Sequence, residues 1–333
     1  MNIRSIFPFF LFLIFFVSCK NSNRFKIDTS NPAKVTIERI DKQILAMDTS
    51  NILSSINELS AKHPEFYAEY IDIWEMHPTD TADICQLFRE FLTDTMLISV
   101  HKDVEKTFDN IVAIEQKISI GYTYINHYFP EIRLPEICFF VGGFNRSLIT
   151  GSTFIGVGTD LYLGRDYERY KMLTYDYLTY NMDPESIPVD VISTILVNVF
   201  RQTGEKDRLI DNMLYQGKML YLLSVFLPDE SGENIVGYSK EQFKWCEQYE
   251  DAVWATIIDQ KDLFSSDYSL IRKYMNDAPF TAPVSQESPG RLGAWVGWQI
   301  VKSYMERNTD VSLRDLVEEN DYQKILEKSG YRP

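Results

Sequence analysis

The stretch Pro188-Val-Asp-Val-Ile-Ser-Thr-Ile-Leu-Val-Asn-Val-Phe-Arg-Gln-Thr203, followed after Gly204 and a charged turn by Leu209-Ile-Asp-Asn-Met-Leu-Tyr-Gln-Gly-Lys-Met-Leu-Tyr-Leu222, decides the reading of this chain. Ile192, Ile195, Leu196, Val199 and Phe200 recur at helical spacing, which predicts a buried helix over 188–203. Asn181-Met-Asp-Pro184 caps it, and Pro188 sits where a first helical turn tolerates the missing N–H. The second run predicts a partner helix across a short connection. Neither run contains a histidine, so no pair of imidazoles at i, i+4 shares a helix face to hold a metal.

Working outward, 333 residues with 45% apolar side chains are ample for a buried core, and the net charge of −15 comes without a basic block. A nucleic-acid surface is therefore excluded. The first residues carry Arg4 and an apolar run, Ile6 to Val17, too short to span a bilayer. It ends in Phe16-Val17-Ser18-Cys19, which resembles a bacterial lipoprotein signal: residues 1–18 are the expected signal peptide and Cys19 the lipid-attachment residue. Acyl chains there would anchor the protein to the membrane through a polar tether over 19–32. No acidic run follows Cys19, which favours a periplasm-facing position. Cys85, Cys138 and Cys246 form no Cys-x-x-Cys pair, and their odd number argues for buried thiols.

The remainder, 33–333, is expected to be one domain in three parts. Residues 33–130 are helical by spacing, after a short strand at Val35–Ile40, with histidines 63, 77 and 101 too far apart to ligate together. Residues 131–165 switch to runs of Glu136–Val141 and Ser152–Val157 around Gly142-Gly143, predicting a hairpin or meander and hence a small antiparallel sheet. A lone Gly-Gly without a following Lys-Ser/Thr is a turn, not a phosphate site. Residues 166–333 return to helix, opening on a tyrosine-rich segment (167, 170, 175, 177, 180). The capping box Ser239-Lys-Glu-Gln242, a proline-rich loop over 279–290 and the apolar helix Arg291–Met305 follow, then a last helix over 312–326. The fold class predicted is α+β and mainly helical.

The Val35-Thr-Ile-Glu-Arg-Ile-Asp41 start, Tyr215-Gln-Gly-Lys-Met-Leu-Tyr221, Pro289-Gly-Arg-Leu-Gly-Ala-Trp-Val-Gly-Trp-Gln-Ile-Val-Lys-Ser-Tyr304 and the lipoprotein signal together resemble the gliding motility-associated lipoprotein GldB family of Bacteroidetes, along essentially the full chain. The resemblance implies a cell-envelope lipoprotein working with protein partners in gliding and the associated secretion machinery. That family is distantly similar to predicted zinc peptidases, which implies a gluzincin-like architecture built on the 188–222 helix pair. In such peptidases a first helix carries His-Glu-x-x-His and a second supplies an acidic ligand. Carried over, the His, Glu and second His positions fall on Val197, Asn198 and Arg201, and the downstream acidic position on Gln216. None is a usual zinc ligand, and a guanidinium at a ligand position repels a dication. Only four histidines exist, none beyond His127, so neither a register shift nor a serine triad restores catalysis.

The expectation is a protein that is not an enzyme and holds no metal or cofactor, with Arg201 and Gln216 as a possible residual binding cleft. Two alternatives stand beside it: an active envelope hydrolase with atypical ligands, and a lipoprotein that binds peptide or glycan, the latter through the tyrosine-rich segment.

Overall fold

A computed structural model describes residues 24–74, 80–202 and 207–333. Cys19 and the signal peptide, His77 and the connection over 203–206 lie outside them. The first half is a run of helices: α1 (Ile40–Leu45), α2 (Ile52–Lys62), α3 (Pro64–Asp72), α4 (Thr81–Thr93), α5 (Thr95–Thr107) and α6 (Val112–Tyr128). Local capping sets their starts. The Asp80 side chain accepts from the N–H groups of Ala82 and Asp83, and that of Asp94 from Leu97. The apolar stripe through Val104, Phe108 and Ile118 is interrupted between α5 and α6, where Phe108 leaves the helix. His63 lies 3.4 Å from Glu38, His127 is exposed, and His101 is buried with its ring edge-on to Phe91.

Four strands follow the order β1-β2-β4-β3: β1 (Glu38–Arg39), β2 (Glu136–Phe140), β3 (Leu148–Thr150) and β4 (Phe154–Gly158). The expected antiparallel sheet is corrected to a mixed one. β2 runs parallel to β4, with Glu136 opposite Phe154 and Phe140 opposite Gly158, and β1 is parallel to β2. The hairpin is β3–β4, with Ile149 opposite Gly156. The reason is visible in burial: β4 is buried at every position and β2 at all but its first, as strands covered on both faces are. Gly142-Gly143 lies in the turn after β2, as expected, and the chain reverses there into β3, which is antiparallel to β4 and therefore to β2. The chain from Gly142 to Phe144 folds around Asp160, whose carboxylate accepts their N–H groups at 3.2 and 2.5 Å.

The second half is α7 (Asp176–Thr179), α8 (Ile187–Val199), α9 (Leu209–Phe226), α10 (Gly232–Val236), α11 (Lys240–Gln248), α12 (Glu250–Asp259), α13 (Tyr268–Met275), α14 (Leu292–Arg307), α15 (Leu313–Glu318) and α16 (Tyr322–Ser329). Helix α8 stops at Val199, short of the expected Thr203, because Phe200 leaves helical geometry at ψ 61°. The expected final helix is two, split at Glu319, whose extended ψ of 110° closes α15. Helices α9 and α14 make the most extensive contact between elements. Buried side chains from Ile37 to Tyr331 form one cluster, with Trp295, Trp298 and Phe226 among the largest.

Cys85, Cys138 and Cys246 are free and buried, and burial raises the Cys138 and Cys246 thiols far above the usual range. Their reaction with a thiol reagent is therefore expected to be slow in the native protein and complete once guanidinium unfolds it. Disulfide formation under non-reducing digestion and mass spectrometry would contradict this.

Candidate functional site

Of the four positions matching the peptidase motif, Asn198 and Arg201 border one cavity, Gln216 borders another, and Val197 borders neither. Val197 and Asn198 are exposed on the last turn of α8, and Arg201 lies beyond it, its Nε donating to the Asn198 carbonyl at 3.3 Å. Arg201 lines a cavity of about 540 Å³ shared with Tyr215, Lys218, Arg314 and Tyr322. Gln216 lines a different cavity, of about 140 Å³, so the cleft expected to hold both residues is two separate spaces. Gly217 beside it has a packing role: a Cβ there would overlap the Gly297 carbonyl of α14. Among the described residues no three His, Cys, Asp or Glu side chains come together as a metal site does.

Lys218, one residue further, is 2% exposed. Its Nζ donates to the Glu319 carbonyl at 2.8 Å and the Val317 carbonyl at 3.4 Å, serving the otherwise unsatisfied end of α15. Burial pulls its ammonium down to about 8, opposed by nearby Glu319. It is a structural cation, lying also over the Tyr322 ring.

A more developed polar site lies at the other end of α8. A cavity of about 380 Å³ opens between the loop after β4, the tyrosine-rich segment, α11 and the loop before α14. Asp190, in the first turn of α8, lines it. Its Oδ2 accepts the Tyr162 hydroxyl at 2.8 Å, and Oδ1 has no hydrogen-bond partner among the described residues. Burial raises its carboxyl to about 6; the Tyr162 hydroxyl and the charge of Arg291 pull the other way. Asn181, Asp190, Gly237 and Arg291 also border the smaller cavity holding Gln216, so the two spaces share a polar wall.

The chain between Ala278 and Arg291 holds that wall rigid. Thr281 Oγ1 donates to the Pro289 carbonyl at 2.8 Å, and its N–H donates to Ser288 Oγ at 3.1 Å. The buried Tyr238 hydroxyl donates to the Gly290 carbonyl at 2.6 Å. Gly290 packs so tightly that a Cβ would overlap the Ala278 carbonyl oxygen. Arg291 then turns through a left-handed φ of 56° into α14 and pairs with Asp277 at 3.5 Å. Left-handed backbone is strained for a branched-out side chain, and the surrounding bonds hold it there. Sequence spacing singles out none of Asp190, Tyr162, Tyr238 and Arg291 as a site residue. No spacing links residues so far apart in the chain; Arg291 directly after a Pro-Gly turn is the one local signal.

The fold and this cleft define a mainly helical α+β protein with a preformed polar pocket beside a helix pair. By a match of the gliding motility protein GldB family model over residues 22–333, the chain belongs to that family. No curated protein and no solved structure gives a significant match. Membership makes the protein a cell-envelope lipoprotein related to gliding motility, and none of its described helices is long and apolar enough to cross a membrane.

Proposed function

We propose that this protein is a non-catalytic binding component of the gliding motility and associated secretion machinery, lipid-anchored at Cys19 and facing the periplasm. The α8–α9 pair is read as a metallopeptidase-like scaffold that has lost its chemistry. What supports this reading is the divergence of the four motif positions: Val197, Asn198 and Arg201 sit at an exposed helix end, and Gln216 opens into another cavity. A hydrolytic site needs its base, ligands and reacting carbonyl within bonding reach of one another. An amide and a guanidinium in separate spaces have no such relation.

The test is metal content and hydrolysis by the full chain, purified without chelator and without a histidine tag. The expected result is less than about one-tenth equivalent of zinc, no saturable binding on titration, and no chelator-sensitive cleavage of casein. One tightly held zinc per chain would overturn the reading and send the search for ligands to the N-terminal histidines and the acids. In cells, crosslinking through the cleft face is expected to capture envelope proteins of the gliding apparatus.

A further inference from the structure

We propose that the cleft lined by Asp190 is a docking site for an extended protein segment that presents a lysine or arginine side chain between apolar neighbours. The inference rests on the reading of the protein as a binding component and names the kind of partner.

The charge distribution points to a cation. Asp190 and Asp277 face the cavity with Arg291 as their only charged companion, so one negative charge is left over. Arg291 is within ion-pair distance of Asp277 rather than Asp190, and Asp190 Oδ1 is unclaimed. The other polar side chains on the wall, Ser147, Asn181 and Gln242, are neutral. Tyrosines 162, 177 and 238 also line the space, and tyrosine faces attract ammonium and guanidinium groups. A cavity of about 380 Å³ accommodates one long side chain.

The rim points to a polypeptide rather than a free ion or a sugar. Tyr175, 72% exposed, forms an apolar lip next to Tyr177 on the cavity wall, and Met172 and Leu173, 82% and 53% exposed, precede it in the chain. Tyr175 stacks on Tyr177, ring centroids 5.8 Å apart, and Tyr177 and Leu178 continue the lip into the cleft. Apolar side chains flanking the inserted cation would cover this lip, whereas a neutral saccharide would leave the Asp190 charge unanswered. The net charge of −15 steers basic partners toward the surface.

The experiment is calorimetric titration of the full-length chain in detergent micelles with acetyl-Leu-Arg-Leu-amide, acetyl-Leu-Leu-Leu-amide, acetyl-Leu-Glu-Leu-amide and a chitooligosaccharide. Only the arginine peptide is expected to bind. Its affinity should fall about tenfold from pH 7.5 to pH 5, because in the free cleft the Asp190 carboxyl, raised by burial to about 6, takes up the proton that the bound cation displaces. Tyr162, Tyr177, Tyr238, Arg291 and, behind Arg291, Asp277 are the titratable or charged groups around it.

Asp190→Asn, which keeps an acceptor for Tyr162, should weaken binding at least about tenfold and remove the pH dependence. Tyr175→Ala should weaken it several-fold, while Val112→Ala, exposed on α6, should not. Equal binding of the three peptides overturns the proposal, as does full affinity in a folded Asp190→Asn protein, or saccharide binding without peptide binding. If Asp190→Asn fails to fold, the glutamate peptide and the pH series on the unmodified protein decide. Mass spectrometry of the recovered peptide separates the two readings: cleavage sinks the non-catalytic function, and an intact but unbound peptide sinks the docking site alone.

Discussion

Valine in place of Gly297 is expected to destabilise the protein by more than about 3 kcal/mol, enough to leave much of it unfolded at growth temperature. Helices α9 and α14 cross where Gly217 meets Gly297, and neither position has room for a side chain. A Cβ on Gly297 would overlap the carbonyl of Met213, and a Cβ on Gly217 would overlap the carbonyl of Gly297. Both obstacles are backbone, so no rotamer change relieves them; the helices must move apart and lose contact along their length. Even Gly297→Ala should be destabilising, although alanine is favoured over glycine by about 1 kcal/mol inside a helix. Gly293→Ala is the informative control. Its Cβ would meet the sulfur of Met275, the far end of a flexible chain, so the loss there should be smaller. Urea midpoints of the three variants check this order. A Gly297→Ala protein more stable than the parent would rule out the close crossing. Because the two glycines meet each other, Gly217→Ala and Gly297→Ala should combine non-additively.

Asp160→Ala is expected to cost about 3 kcal/mol or more. The side chain is fully buried, yet it organises the turn after β2 by accepting the N–H groups of Gly142 and Phe144. That turn carries left-handed φ angles of 65° at both Gly143 and Phe144, and the Phe144 conformation is one that a non-glycine residue adopts only when held. The Tyr170 hydroxyl donates to the Asp160 carbonyl at 2.8 Å, which ties this turn to the tyrosine-rich segment beside the cleft. Alanine leaves buried donors without an acceptor; Asn keeps one and should cost less.

The pH dependence separates the two variants. Burial raises the Asp160 carboxyl to about 6 and the backbone N–H groups only partly offset it. The folded value lies above the unfolded one, so the contribution of this group is complete only below about pH 3 and is lost as pH rises through 6. Relative to Asp160→Asn, the parent protein should therefore lose about 2 kcal/mol of stability between pH 4 and pH 7, read from urea midpoints at each pH. A flat difference would show that the N–H groups fully balance the burial.

Much of the secondary structure was legible because its causes are local. Apolar residues at helical spacing placed α8, α9 and α14, and the Ser239 capping box placed the start of α11, where Ser239 Oγ and Gln242 Oε1 each accept the other residue's N–H. The sheet was misjudged because full burial on both faces erases the alternation that marks a strand's partner and direction. The reach of α8 was overestimated because Phe200 continues the apolar pattern while its backbone leaves helical geometry. Absences in composition were equally plain: no histidine follows His127, whatever the fold. By itself, then, the sequence determined the helical run and the identity of the side chains at the motif positions. Only the tertiary structure decided that Arg201 and Gln216 face different spaces, and that Tyr162, Asp190 and Arg291 meet at one. Local pattern sets backbone conformation over a few turns, whereas a site joining a loop after β4, a helix start and a strained helix cap exists only once long-range packing brings them together.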